Sequence, residues 1–138
     1  MPYASLIILF NEEGRVLLLR RSQQVDSYPG LYGFPGGKIE EGETSVDAAV
    51  RELYEEASLK IRPADLVYVF TMNKEESKDI IFYIATKWRG SPKVDWESDS
   101  FIWADPSSMS ELDMVPTPKI VFELITSWAD FMRPEDKG

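Results

Sequence analysis

The chain has 138 residues, 43% of them apolar and 28% charged, a balance typical of one soluble globular domain. It contains neither cysteine nor histidine, so disulfides, thiol chemistry and imidazole catalysis are excluded, and any acid–base or metal chemistry must use carboxylates, lysine, tyrosine or bound water. The formal net charge of −9 argues against general nucleic-acid binding, which needs a basic surface, and implies that cations mediate any contact with a polyphosphate.

Apolar runs separated by turn residues predict strands in the first part of the chain. Residues 5–10 and 16–19 indicate buried strands around a turn at residues 11–14, and residues 31–34 could form a short strand after a polar loop. No basic patch precedes the first run, and no run approaches the roughly 20 residues of a membrane-spanning helix. We therefore expect a cytoplasmic protein with neither a secretory signal nor a membrane partner.

Residues 44–57 give the clearest helical pattern in the chain. Thr44 is a suitable N-cap, and Asp47 three residues later resembles a capping box. At about 100° per residue, the apolar side chains fall on one face, which consists of Val46, Ala49, Val50, Leu53 and Ala57. We expect this face to pack against the core.

The rest of the chain predicts three more strands and a closing helix. The strands are expected at residues 66–72, 80–88 and 101–104, the first two of them paired across a polar turn at 73–78, and the helix is expected at 120–132. Residues 133–138 are expected to form a short polar tail. Because strands and helices are mixed without a repeat or linker, we predict a single domain over residues 1–138 with an α/β (α+β) fold, in which helices cover a mixed sheet.

Three glutamates on the first helix suggest a metal site. Glu52, Glu55 and Glu56 stand at i, i+3 and i+4, so their carboxylates cluster along the edge of the apolar stripe. Carboxylates at this spacing repel one another by a few tenths of a kcal/mol per pair, and Mg²⁺ or Mn²⁺, which prefer oxygen ligands, would remove that repulsion. Arg51 can pair with Glu55 at i+4. Taken alone, however, the helix is better explained as a solvated acidic face.

The loop ahead of this helix favours a phosphate ligand. Gly36 and Gly37 allow the backbone to approach a ligand closely, Lys38 supplies a cation suited to phosphate, and Glu43 adds a carboxylate. A glycine turn by itself could be a tight connection. The loop and the acidic helix together favour a site for a metal-bound phosphate.

The combined pattern resembles the signature of the Nudix hydrolase family. The match to its 23-residue box, residues 37–59, consists of Gly37, Glu43 after five intervening residues and, after seven more, the run from Arg51 to Leu59. It holds at every fixed position except Ser58. The family has glycine there. A serine just past a helix end costs on the order of 1 kcal/mol if it adopts a positive φ. Since Ser58 is not a ligand type, we expect a loss of stability rather than of activity.

The resemblance implies an α/β/α sandwich with a mixed central sheet, a catalytic loop–helix–loop motif and bound Mg²⁺ or Mn²⁺. The residues that it implies as metal ligands are Glu52, Glu55, Glu56 and the carbonyl of Gly36. It implies that Glu43 and Arg51 support the loop and that Gly36, Gly37 and Lys38 contact the substrate.

The flanking sequence is most similar to MutT-like members of that family. Residues 34–40, beginning with Phe34, resemble their approach to the box. Glu97 falls where they carry a loop glutamate that binds metal or activates water, and Arg21 where they carry an arginine near the nucleotide. An ordinary loop carboxylate and a surface cation are the alternative interpretations. Residues 115–118 hold no match to the asparagine that reads the purine in the oxidised-guanine enzymes.

The predicted reaction is cleavage inside the phosphate chain of a nucleoside diphosphate linked to another group. Nucleoside triphosphates, which would give the monophosphate and pyrophosphate, lead the candidates. Nucleotide sugars, ADP-ribose, dinucleoside polyphosphates and capped RNA ends are alternatives. Glu52, Glu55 or Glu97 would accept the proton of the attacking water, and coupled carboxylates leave the choice among them open.

Other predictions concern the base, the partners and a rival function. Aromatic residues could hold the base, although core packing explains each of them as well: Tyr32, Phe34, Phe82 and Tyr83. The expected partner is a small nucleotide, and the protein is expected to be a monomer or homodimer. The alternative class is a non-catalytic Nudix-fold domain that senses a nucleotide, although such domains usually lose box carboxylates and this chain keeps them.

Overall fold

A computed structural model describes residues 2–75 and 77–132, and the predicted tail at residues 133–138 lies outside them. Strands and helices follow in the order β1 (Pro2–Leu9), β2 (Val16–Arg21), β3 (Tyr32–Gly33), β4 (Gly36–Lys38), α1 (Ser45–Ala57), β5 (Val67–Asn73), β6 (Asp79–Ala85), β7 (Ser98–Ala104) and α2 (Lys119–Met132). Single 3₁₀ turns lie at Pro63–Asp65 and Met109–Glu111. Neither α-helix of the described chain has the length and apolarity to cross a membrane.

The strands form two sheets. A four-stranded mixed sheet has the order β4-β1-β6-β5. In it β1 is parallel to β6, whereas β4 is antiparallel to β1 and β5 is antiparallel to β6. A three-stranded antiparallel sheet has the order β3-β2-β7. The predicted hairpin of the fifth and sixth strands is confirmed, since β5 and β6 pair from Val67–Ile84 to Asn73–Asp79.

Alternate residues of β1 face two separate cores. Ile8 packs with the apolar face of α2, whereas Ile7 and Leu9 pack with that of α1. In β2, Leu18 packs in the core beside α2 and Leu17 packs in the core beside α1. A strand buried on both faces reads as continuously apolar, which explains why residues 5–10 and 16–19 carry no alternation. The predicted sandwich, with a helix on each side of the strands, is confirmed.

The glycine segment ahead of α1 is a strand and not only a loop. β4 pairs antiparallel with β1, with Ala4 opposite Lys38 and Leu6 opposite Gly36. Gly36 has φ 137°, and a Cβ on it would lie 2.2 Å from the carbonyl oxygen of Ser5. Two adjacent glycines give little local preference for a strand, so the pairing with β1 decides this structure.

One predicted strand ends earlier than expected. Pairing between β1 and β6 stops at Ala85, although the sequence suggested a strand to residue 88. The indole of Trp88 instead turns inward, donates a 2.9 Å hydrogen bond to the carbonyl of Phe10 and stacks on Trp103 with ring centroids 5.5 Å apart. Burial of this ring closes the end of the core near α1.

Both ends of α1 are capped by side-chain or backbone hydrogen bonds. The Thr44 hydroxyl accepts from the Asp47 backbone N–H at 3.0 Å and the Asp47 carboxylate accepts from that of Thr44 at 3.2 Å, so the predicted capping box is confirmed. At the other end Ser58 is left-handed, with φ 60° and ψ 28°, and its N–H donates to the carbonyl of Tyr54. The serine thus occupies a conformation that glycine adopts without strain.

We expect Ser58→Gly to raise the free energy of unfolding by about 1 kcal/mol, because it removes the Cβ strain at φ 60°. For a domain of this size that corresponds to a Tm increase of about 3–5 °C, measured by calorimetry. Ser108→Gly is the control, since Ser108 has φ −121° and glycine relieves nothing there. An unchanged Tm for Ser58→Gly, or an equal rise in the control, would contradict the assignment of strain.

Candidate active site

Most of the predicted site residues line one cavity of about 980 Å³. From the predicted set it includes Arg21, Phe34, Gly36, Gly37, Lys38, Glu56 and Glu97. The Glu52 carboxylate lies against the same glycine wall, because a Cβ on Gly37 would stand 2.6 Å from its Oε2. Residues far apart in sequence therefore meet between the β4 strand, α1 and the loop before β7.

Arg51 links the carboxylates beside this cavity. Its Nε and Nη2 donate to the two carboxylate oxygens of Glu43 at 2.7 and 3.0 Å. Its Nη1 donates to Glu55 at 3.0 Å, the i+4 pair that the sequence suggested, and to Glu52 at 3.2 Å. Nη2 also reaches the carbonyl of Lys38 at 3.1 Å. One guanidinium therefore ties the start of the loop to the middle of the helix.

The bidentate contact with Arg51 dominates the titration of Glu43. Its hydrogen bond to the guanidinium holds the pKa of Glu43 at about 2, against an ordinary value of 4.5, and the Glu40 N–H adds to this effect. Charge-assisted bidentate pairs of this kind are the strong ones among hydrogen bonds. Glu43 thus stays ionised and fixes Arg51, the geometry expected of a residue that supports the loop.

The pKa values of Glu56 and Glu52 are shifted in the opposite direction, above the ordinary value. Burial raises the pKa of Glu56 well above its ordinary value, although its Oε1 accepts a 2.8 Å hydrogen bond from the Gly36 N–H. Nearby Glu52, Glu97 and Asp95 raise it further. Burial also raises the pKa of Glu52, against the lowering effect of Arg51. Partly buried carboxylates that destabilise one another's charge are a natural place for a cation.

Glu97 and Arg21 lie in the same part of the cavity. Burial raises the pKa of Glu97, Asp95 adds to this rise, and Arg21 opposes it. The Ser22 N–H donates to the Glu97 carbonyl at 2.9 Å, while the Arg21 guanidinium donates to Ser27 at 2.7 and 3.0 Å. Both residues line the cavity, and their roles there stay predictions.

An oxygen-only donor set suits Mg²⁺ or Mn²⁺ rather than a softer metal. Within residues 2–75 and 77–132, however, no three carboxylates are arranged closely enough to hold an ion. Arg51 holds Glu52 and Glu55, and the backbone of Gly36 holds Glu56. The chemistry of these residues fits the cation, and the ligand set stays a prediction.

Aromatic side chains form the other wall of the cavity. Phe34 and Phe82 meet edge to face with centroids 5.9 Å apart, and both are buried in the core as well. Of the other predicted base-holding aromatics, Tyr83 packs on the α1 side, where its hydroxyl bonds Ser45 at 2.6 Å, and Tyr32 packs beside the core. Only the phenylalanines of that set line the cavity.

Two polar residues of this region were missed by sequence reasoning. Asp95 raises the pKa of both Glu56 and Glu97, and the Asp95-x-Glu97 spacing was a signal that could have found it. Asn73 lines the cavity from β5, and its amide donates to Asp79 at 2.5 Å. No local pattern marks Asn73, because the β5–β6 hairpin alone brings it there.

A sandwich with this glycine–carboxylate site is the architecture of a Nudix hydrolase. Residues 1–125 match the family model described as a NUDIX domain, so the chain belongs to the Nudix family. Within it the chain is MutT-like. It is 28% identical over 127 residues to an 8-oxo-dGTP diphosphatase of Haemophilus influenzae, covering 91% of this chain and 92% of that one. It is 30% identical over 111 residues to a CTP pyrophosphohydrolase of Escherichia coli, covering 78% and 79%.

Solved structures share the fold at lower identity. A MutT structure described for Aliivibrio salmonicida and Vibrio cholerae superimposes with a TM-score of 0.76 at 22% identity, over 93% of this chain and 99% of that one. A Caenorhabditis elegans Ap4A hydrolase complex gives 0.69 at 20% identity, over 94% and 97%. The fold is thus common to relatives with different named substrates.

We expect Arg51→Gln to raise the pKa of Glu43 from about 2 toward 4.5, because the bidentate hydrogen bond is lost. The Glu43 pKa is depressed in the folded protein, so its contribution to stability is present above about pH 4.5 and is lost as the pH falls toward 2. NMR titration of the side-chain carboxyl measures the midpoint. Arg62→Gln, which removes a pair with Asp65, is the control. An unshifted Glu43 midpoint in Arg51→Gln would refute the assigned cause.

Proposed function

We propose that the protein is a divalent-cation-dependent pyrophosphohydrolase that cleaves inside the phosphate chain of a nucleoside diphosphate linked to another group. Nucleoside triphosphates are the leading substrates, with the monophosphate and pyrophosphate as products. The observation that carries the proposal is the shared cavity, in which Lys38, Arg21 and the box glutamate Glu56 lie beside an aromatic wall. Relatives named as an 8-oxo-dGTP diphosphatase and a CTP pyrophosphohydrolase support triphosphates.

The predicted site residues divide between two roles in this proposal, holding the cation and binding the phosphates. Glu52, Glu55 and Glu56, with the carbonyl of Gly36 and with Glu97, would hold Mg²⁺ or Mn²⁺. The bound cation supplies charge neutralisation for the phosphates and an acidified water. Lys38 and Arg21 bind phosphate oxygens, and the glycines at 36 and 37 leave room for the phosphate chain to approach the backbone.

The water's proton passes to a carboxylate beside the phosphate. Glu52, Glu55 and Glu97 are candidates. Burial raises the pKa of Glu52 and that of Glu97, and the nearby charge of Glu55 raises both further. Arg51 restricts two of them, since it contacts both Glu52 and Glu55. Glu97 is free of that contact, which favours it as the acceptor once the other two are engaged.

The base would enter between Phe34 and residues 115–118. Phe82 and Ile80 form an apolar floor there, and Asn73 offers the one carboxamide among the described residues that line this cavity. Base recognition by a single amide allows moderate preference among nucleotides. A cytoplasmic location and a monomeric or homodimeric state remain parts of the same proposal.

A dinucleoside polyphosphate is a second candidate, because aromatic rings flank the mouth of the cavity. Tyr3 and Tyr28 are 37% and 41% exposed, and both line it. Lys38 and Lys78 lie 5.7 and 5.4 Å from the Tyr3 ring centroid. An exposed ring with neighbouring cations can stack a second base and bind the intervening phosphates.

We expect turnover of nucleoside triphosphates with Mg²⁺ and none in excess chelator, because the acidic site repels a polyphosphate that brings no cation. The measurement is a substrate panel of triphosphates, nucleotide sugars, ADP-ribose and dinucleoside polyphosphates, with products identified by chromatography. Preference for a dinucleoside polyphosphate would support the second candidate. Tight binding without turnover under any metal would support a nucleotide sensor, and full activity in chelator would refute the metal role.

We expect Glu56→Gln to lower kcat by orders of magnitude while the Tm is kept or raised. The amide oxygen can still accept from the Gly36 N–H at this position, and a partly buried like charge is removed. Glu123→Gln, at an exposed position of α2, makes the same charge change and should be active. If Glu56→Gln turns over triphosphates like the control, the acidic helix is a solvated surface and not a metal site.

A further inference from the structure

A second cavity of about 420 Å³ lies beside α1. It is lined by Val50, Tyr54, Lys60, Ile61, Arg62 and Arg89. Val50 and Tyr54 stand at i and i+4 on the helix, so they share one face. At about 100° per residue that face is roughly opposite the one that carries Glu52 and Glu56. The cavity, which we term the rear cavity, is therefore separated from the active site by the body of the helix.

Positive charge is concentrated in the rear cavity of an acidic protein. Three of the 15 lysines and arginines line it, against a net charge of −9. Arg62 is paired with Asp65 at 3.0 Å. In the part of the chain that the structure describes, no carboxylate forms a salt bridge with Lys60 or Arg89. Two cations are thus available to an anion from outside the protein.

The backbone fixes these two cations relative to each other. Lys60 and Arg89 exchange two backbone hydrogen bonds, each of 2.9 Å, in an isolated antiparallel bridge. The next residue, Ile61, is only 7% exposed and anchors the bridge in the core. Two side chains on directly paired residues emerge from the same side of a ladder, so an anion between them would meet both.

An aromatic ring completes the rear cavity. Tyr54 is 54% exposed, and the Lys60 Nζ lies 5.8 Å from its ring centroid. A tyrosine that is exposed on a helix surface contributes little to stability, because little of its ring is buried. A ring beside a cation can, however, bind a planar group. Val50 and Ile61 add apolar surface below it. The lining therefore combines a flat apolar part with two unpaired cations.

We propose that the rear cavity binds a nucleoside monophosphate, with the base against Tyr54 and the phosphate between Lys60 and Arg89. Its volume lies in the range of about 300–1,000 Å³ that small-molecule sites occupy. Inorganic phosphate alone would leave the ring and the apolar floor unused. The inference does not rest on the proposed catalytic function, because none of its residues belongs to the active site.

Binding is tested with adenosine monophosphate followed by amide NMR shifts, in excess chelator so that no cation can bridge the probe to the active site. We expect saturable shifts at residues 54, 60–62 and 89. Lys60→Gln/Arg89→Gln should weaken binding at least about tenfold, because two charge-assisted contacts are lost. Arg15→Gln/Lys119→Gln removes the same charge from exposed positions outside the cavity and should bind like the unmodified protein.

Tyr54→Leu tests the stacking part of the proposal. We expect it to weaken adenosine monophosphate at least about fivefold and to leave the binding of inorganic phosphate unchanged. Circular dichroism checks that each variant is folded. Absence of saturable shifts in the unmodified protein would overturn the proposal, as would shifts confined to residues 36–38 and 97 or equal weakening by the control pair. Equal affinity for phosphate and the nucleotide would overturn the role of the base.

Discussion

The approach of β4 to both β1 and α1 determines where the active site can form. A Cβ on Gly36 would lie 2.2 Å from the Ser5 carbonyl, and one on Gly37 would lie 2.6 Å from the Glu52 carboxylate. The atoms near Gly36 include backbone that cannot move aside, so glycine there lets β4 lie closer to β1 than another residue allows. The atom near Gly37 is the end of the flexible Glu52 side chain, which would have to shift. This closeness brings the Gly36 N–H within 2.8 Å of Glu56. The proposed metal and phosphate positions both depend on that spacing.

Electrostatics then divides the acidic residues into two groups. Glu43 is kept ionised by Arg51 and holds the loop, while burial makes ionisation of Glu52 and Glu56 unfavourable. Arg51 offsets part of the repulsion within the protein itself. A divalent cation would offset more of it and would also attract a polyphosphate. The same carboxylates can therefore be tolerated in the folded chain and still favour a metal.

Local patterns predicted the parts of this structure that local forces determine. The capping box at Thr44 and the carboxylate spacing on α1 depend on residues three or four positions apart, and the β5–β6 hairpin joins two strands that are adjacent in the chain. The β4 strand was read as a loop, because only its pairing with β1 makes it extended. Asn73 escaped notice for a similar reason, because only the tertiary fold brings it to the cavity, whereas the spacing from Asp95 to Glu97 was a signal left unused.

The conformation of Ser58 connects the two faces of α1. Its left-handed turn ends the helix and directs Leu59 into the core, which sets Lys60 against Arg89. Gly90 is close by, since a Cβ on it would lie 3.0 Å from the Ser58 carbonyl. Because side chains on a helix keep fixed angles, capping both ends fixes the carboxylate face and the Tyr54 face together. A strained residue at this corner therefore contributes to the position of both cavities.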